Sequence, residues 1–135
     1  MKSIGIDFTE EKWRKQFYSD DTDPRVRMRF LELGIFAHSR GKVLIVTGII
    51  RSKEKNIETY GRDEPSGHRE RPARAIDFRV DEPDADFSAG LKNYHVMYMD
   101  QGAYYTLMNH DVGTGLHWHL QVPHNPRINV KLYDV

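Results

Sequence analysis

The chain has 135 residues, 20 basic side chains balanced by 20 acidic ones, and no cysteine. A single domain of this length buries roughly two thirds of its unfolded surface. The balanced charge offers no field for nucleic acid or a membrane surface as the main partner, and the missing cysteine excludes disulfides and thiolate zinc sites. His, Asp and Glu remain as the strong metal ligands. The opening MKSIGIDFTEEKWRKQF lacks the apolar core of an export signal, and no apolar run approaches a membrane span. A cytoplasmic protein as encoded is expected, with any outer target reached only after release.

In chain order, FTEEKWRKQF (8–17) is expected as a helix starting at Thr9, with Phe8, Trp13 and Phe17 sharing a face. A longer helix follows from Asp23 as cap and Pro24 as first helical residue to a stop near Gly41, with Val26, Phe30, Leu33, Ile35 and Phe36 as its apolar stripe. KVLIVTGII (42–50) is the clearest strand. The polar segment from Arg51 to Gly67 reads as a loop with one helical turn near Glu54. A second strand covers 74–80, a loop or helix lead-in 81–88, and a helix 89–102. Strands at 103–110 and 116–122 flank a turn at 111–115, and the tail 123–135 is an added edge strand. Helices early and strands late predict an α+β fold with a small, mainly antiparallel sheet. The expected organisation is one domain: a helical N-terminal segment over residues 1–41, a core over 42–122 holding the site, and the tail.

Three stretches carry chemistry. In SGHRERPARAIDFRV (66–80), Asp77 sits inside an apolar-flanked strand, where a carboxylate is costly unless an arginine, a backbone donor or a metal pairs with it. Arg74 and Arg79 are the nearby arginines. In LHWHLQV (116–122), strand alternation puts His117 and His119 on one face and Trp118 on the other, in the core. Two such imidazoles either share an ion, or one ligates while the other lies near the ion's water. Together, His68, Asp77 and His119 form a two-histidine, one-carboxylate set of the kind that leaves a catalytic zinc one open position. Ser66 either caps a turn or meets substrate. His110 and Asp111 fit a plain turn better than an orienting role beside His117. His95 and His124 read as surface or core residues, and His38 as a helix C-terminal cation.

SGHRERPARAIDFR followed by GLHWHLQV resembles the zinc peptidases of family M15, the D-alanyl-D-alanine carboxypeptidase-like and murein endopeptidase group with a hedgehog-like fold. The family motif S-x-H-x-x-G-x-A-x-D is matched by Ser66, His68, Ala75 and Asp77, and the later W-H by Trp118 and His119. The resemblance spans about residues 42–121. It implies Zn2+ held by His68, Asp77 and His119, Arg51 on the substrate carbonyl, Ser66 contacting substrate, and a peptidoglycan peptide as partner. With no export signal, the expected context is a phage or prophage lysis enzyme released by a separate pore, or a cytoplasmic enzyme acting on wall fragments. Two departures stand out. The stretch from His68 to Asp77 is two residues longer than the motif, with Pro72 and Ala73 near the place of its glycine. Leu116 occupies the place of the carboxypeptidase branch's glutamate base. The H-x-H pair instead resembles the endopeptidase branch, which implies His117 as general base. The alternatives are a D,D-carboxypeptidase or dipeptidase using Glu64, Glu70 or Asp111, a non-catalytic zinc-stabilised phage module, and a non-metallated domain whose histidines are incidental.

Overall fold

A computed structural model describes residues 5–63, 65–99, 105–111, 116–124 and 131–132. The fold is α+β. Five strands form one mixed sheet in the order β1-β2-β4-β6-β5: β1 Ile6–Phe8, β2 Leu44–Gly48, β4 Ala75–Val80, β6 Leu116–Gln121 and β5 Thr106–Asp111. β1 runs parallel to β2 and every other pair is antiparallel, in line with the mainly antiparallel sheet expected. The short strands β3 (Glu70–Arg71) and β7 (Lys131–Leu132) pair separately, so the tail does supply a strand, but outside the main sheet.

The helices are α1 Glu11–Phe17, α2 Pro24–Ser39, α3 Lys53–Tyr60 and α4 Ala85–Tyr94, the last running into a π-helical turn at His95–Met99. α2 begins as its sequence dictates, with Asp23 accepting from the Arg25 backbone N–H at 2.8 Å and Pro24 in the first turn. Its Val26, Phe30 and Leu33 are buried, but Ile35 is 58% exposed and leaves the expected stripe. α2 packs across β4 and β6, whose inward residues Ile76, Phe78, Trp118 and Leu120 are buried. Phe78 bridges the layers, 5.1 Å from the Phe30 ring centroid and stacked on Trp118 at 6.1 Å. Trp118 is therefore core, as alternation required, and the opposite sheet face is left for chemistry.

Four expectations need correction. The N-terminal segment is not purely helical, since residues 6–8 form β1. Thr9 does not start α1: its N–H and hydroxyl both reach the Val46 carbonyl and extend the β1–β2 pairing. The predicted loop after Arg51 contains the full helix α3, capped by the Ser52 hydroxyl on the Lys55 N–H and closed by Gly61 at φ 77°. α4 starts earlier than expected because Asp84 caps it through the Phe87 N–H. Of the turn predicted at 111–115, Asp111 instead ends β5, and residues 112–115 lie outside the described residues.

Candidate metal centre

Antiparallel pairing of β4 with β6 sets Asp77 directly opposite His119 on the face away from α2. His68 arrives from the turn before β3. Its Nδ1–H donates to the Ile49 carbonyl at 2.6 Å, and since a carbonyl only accepts, this bond fixes the proton on Nδ1. The buried Nε2 is left to face Asp77, 3.1 Å from Oδ2. His119 mirrors this arrangement: Nε2 lies 3.0 Å from Gln121 Oε1, and Nδ1 lies 2.7 Å from Asp77 Oδ1. The two rings stand 5.1 Å apart, steeply inclined to each other.

Two nitrogens, each with its other ring N–H spoken for, thus face one carboxylate. Lone pair against lone pair is repulsive, so the geometry asks for positive charge between them, either a proton or a metal ion. One ligand atom from each of His68, Asp77 and His119 lies within 4.8 Å of the others, and the set could hold a metal ion. The outward hydrogen bonds to Ile49 and Gln121 are the kind that fix tautomer and ring orientation at metal centres. Burial resists ionisation of Asp77, but the field of His68 and hydrogen bonding with His119 and His68 outweigh it, so its carboxyl titrates well below the usual range. Burial likewise opposes charge on His119. The hydrogen bond and charge of Asp77, helped by Gln121, prevail over burial and over the repulsion of Arg51, and raise its pKa.

Neither Arg74 nor Arg79 pairs with Asp77. Arg74 is bound through Nε and Nη2 to Glu70 and through Nη1 to the Val122 carbonyl. Glu70 is thereby committed to a cation and is itself buried. The long stretch between His68 and Asp77 is tied down rather than loose: Ala73 exchanges backbone hydrogen bonds with Asp21 and Asp23, and β3 pairs with β7. Arg69, inside this charged stretch, is 1% exposed. It grips Asp63 through Nε at 2.9 Å and Nη2 at 3.0 Å, and donates to the Arg51 carbonyl at 3.1 Å. A guanidinium this deep is tolerable because its donors are satisfied. The Arg51 N–H bonds the His68 carbonyl at 3.0 Å, so the backbone of Arg51 is held on both sides by residues 68 and 69.

His68 and Asp77 open onto a cleft of about 640 Å3 that Arg51 also lines. The Arg51 guanidinium lies over the Tyr60 ring, with Nη1 3.3 Å from its hydroxyl. The structure thus brings together His68, Asp77, His119 and Arg51. His117 is half-buried, on the same strand two residues from His119, and does not line the cleft. Ser66 also stays off the cleft wall. Its carbonyl accepts from the N–H groups of Arg69 and Glu70, holding the turn, while its buried hydroxyl has no hydrogen-bond partner. His95 is buried with Nε2 donating to the Tyr105 carbonyl, and His124 is half-exposed, 3.9 Å from Glu70. Glu64 and the side chains of His110 and Asp111 lie outside the described residues. Gln121 was not among the residues expected from sequence, although the alternation that pairs His117 with His119 puts residue 121 on the same face.

No known protein family, curated protein or solved structure matches the chain. No helix among the described residues is long and apolar enough to cross a membrane.

Proposed function

We propose that the protein is a zinc-dependent peptidase that cleaves peptide bonds of bacterial peptidoglycan, as an endopeptidase with His117 as general base. One observation carries the reading: His68 Nε2, His119 Nδ1 and the Asp77 carboxylate converge beside an open cleft, each imidazole oriented by an outward hydrogen bond. Two imidazoles and one carboxylate suit zinc in a catalytic rather than a closed structural site. The M15-like order of these residues supports the substrate class.

Zinc bound there would lower the pKa of a water molecule and polarise a substrate carbonyl. The chain's own residues do the rest. Arg51, at the cleft wall, donates to the carbonyl oxygen as negative charge develops on it. His117, on the strand face that carries His119, takes a proton from the attacking water and returns it to the leaving amine. Commitment of Glu70 to Arg74 favours this histidine version over a carboxypeptidase with Glu70 as base. The cleft beside the ligands favours catalysis over a purely structural module.

The test is amine release from purified peptidoglycan by zinc-loaded protein, with and without chelator. Release that the chelator stops and zinc restores is expected. No release from walls of differing stem-peptide chemistry would overturn the reading.

A further inference from the structure

The cleft extends well beyond the metal ligands, and its far wall is the N-terminal helix: Lys12, Trp13 and Gln16 of α1 line it. Gln16 Oε1 accepts from the Ile50 N–H at 3.2 Å, so α1 is tied to the strand end that leads into Arg51. Trp13 is buried and anchors the helix. α3 contributes Lys55. Three cations, Lys12, Arg51 and Lys55, therefore face one cleft in a chain whose total charge is balanced. The acidic residues on the same lining are Asp77, committed to the two imidazoles, and Asp21, 3.8 Å from Arg71.

Resting on the reading of this cleft as a peptide site, we propose that Lys12 and Lys55, beside Arg51, form an anion subsite, and that the preferred substrate is a peptide bearing a free carboxylate within the segment the cleft encloses. A concave lining with an excess of cations concentrates the field and draws in ligands of the opposite sign. The lysine heads are held loosely. Lys12 Nζ is 3.7 Å from Glu10 and Lys55 Nζ 3.8 Å from Glu58, all well exposed, and neither glutamate lines the cleft. Exposed pairs of this kind give way readily to a better-placed carboxylate. Lys12 also lies 4.5 Å from the Trp13 ring centroid, which keeps its charge over the cleft wall. The subsite gives α1 a role in recognition beyond bracing the sheet.

The experiment measures binding rather than hydrolysis, so it stands apart from the catalytic reading. A synthetic stem peptide whose second residue carries a free α-carboxylate, and the same peptide as the α-carboxamide, are titrated into zinc-loaded protein. The carboxylate form should bind about tenfold more tightly at low salt, with the preference shrinking as salt rises. In the double variant Lys12→Glu, Lys55→Glu the two peptides should bind within about twofold of each other. Both positions are exposed, so thermal unfolding and zinc content of the variant should match wild type. Equal affinities for wild type, failure of both peptides to bind, or a preference that survives charge reversal would each overturn the subsite. Carboxylate preference without hydrolysis of any wall peptide would sustain the subsite and overturn the peptidase.

Discussion

Replacing Gln121 with leucine tests how the metal centre is held. The side chain keeps nearly the same volume but loses the carbonyl 3.0 Å from His119 Nε2. That contact fixes the proton on Nε2 and leaves Nδ1 as the ligand atom, toward Asp77 at 2.7 Å. Loss of an orienting partner of this kind weakens metal binding by about 10–100-fold, or about 1.4–2.8 kcal/mol. Gly67→Ala reaches the same point from the other side. A methyl group there would stand 2.7 Å from the Ala75 Cβ and 2.8 Å from Gln121 Oε1, so one of them must move. The assay is competitive titration of zinc against a chromophoric chelator, with thermal unfolding of the metal-free forms as control. Gln121→Leu should weaken zinc binding by at least about tenfold while the metal-free protein remains folded. An affinity within about twofold of wild type would refute the orienting role.

Other outcomes follow from the same geometry. His117→Ala should retain zinc and lose about 10²-fold or more in kcat, read by zinc content beside amine release; near wild-type turnover would remove His117 as base. Arg51→Ala should lower kcat/KM by about 10²–10³-fold without changing zinc affinity, and Arg51→Lys should recover only a fraction of that, because the fork geometry is lost. In the metal-free protein, the raised pKa of His119 makes its pairing stabilising below the ordinary imidazole value of 6.5, a contribution lost as pH rises through the folded value. The depressed pKa of Asp77 makes its pairing stabilising above the ordinary 3.8, a contribution lost as pH falls. Zinc displaces the imidazole proton, so the rise in Tm on adding zinc should grow from about pH 5.5 to about pH 8; scanning calorimetry with and without zinc checks this, and an increment that shrinks with pH contradicts it.

The sequence disclosed most where local chemistry and pattern agree. Asp23 with Pro24 marked the start of α2, the β-branched run marked β2, and the strand alternation of β6 separated Trp118 from His119. The convergence of His68, Asp77 and His119 was legible because three weak signals coincided in one order. α3 was hidden because it is polar on nearly all sides, with Asn56 its single buried residue. β1 is three residues long, too short for periodicity to register, and exists through its pairing with β2. The charged stretch from Arg69 to Arg74 carries no apolar periodicity. Its burial depends on partners distant in the chain, Arg51 for Arg69 and Val122 for Arg74, which no local pattern announces. The carbonyl that orients His68 belongs to Ile49, nineteen residues away, and only the fold brings it there.

Zinc K-edge absorption on stoichiometrically loaded protein, with matched His68→Ala, Asp77→Ala and His119→Ala variants, addresses the metal centre most directly. One zinc per chain, bound by two imidazole nitrogens and by oxygen from Asp77 and solvent, is predicted, with zinc lost from each variant. Unchanged zinc content in the three variants, or a coordination shell without two imidazoles, would contradict it.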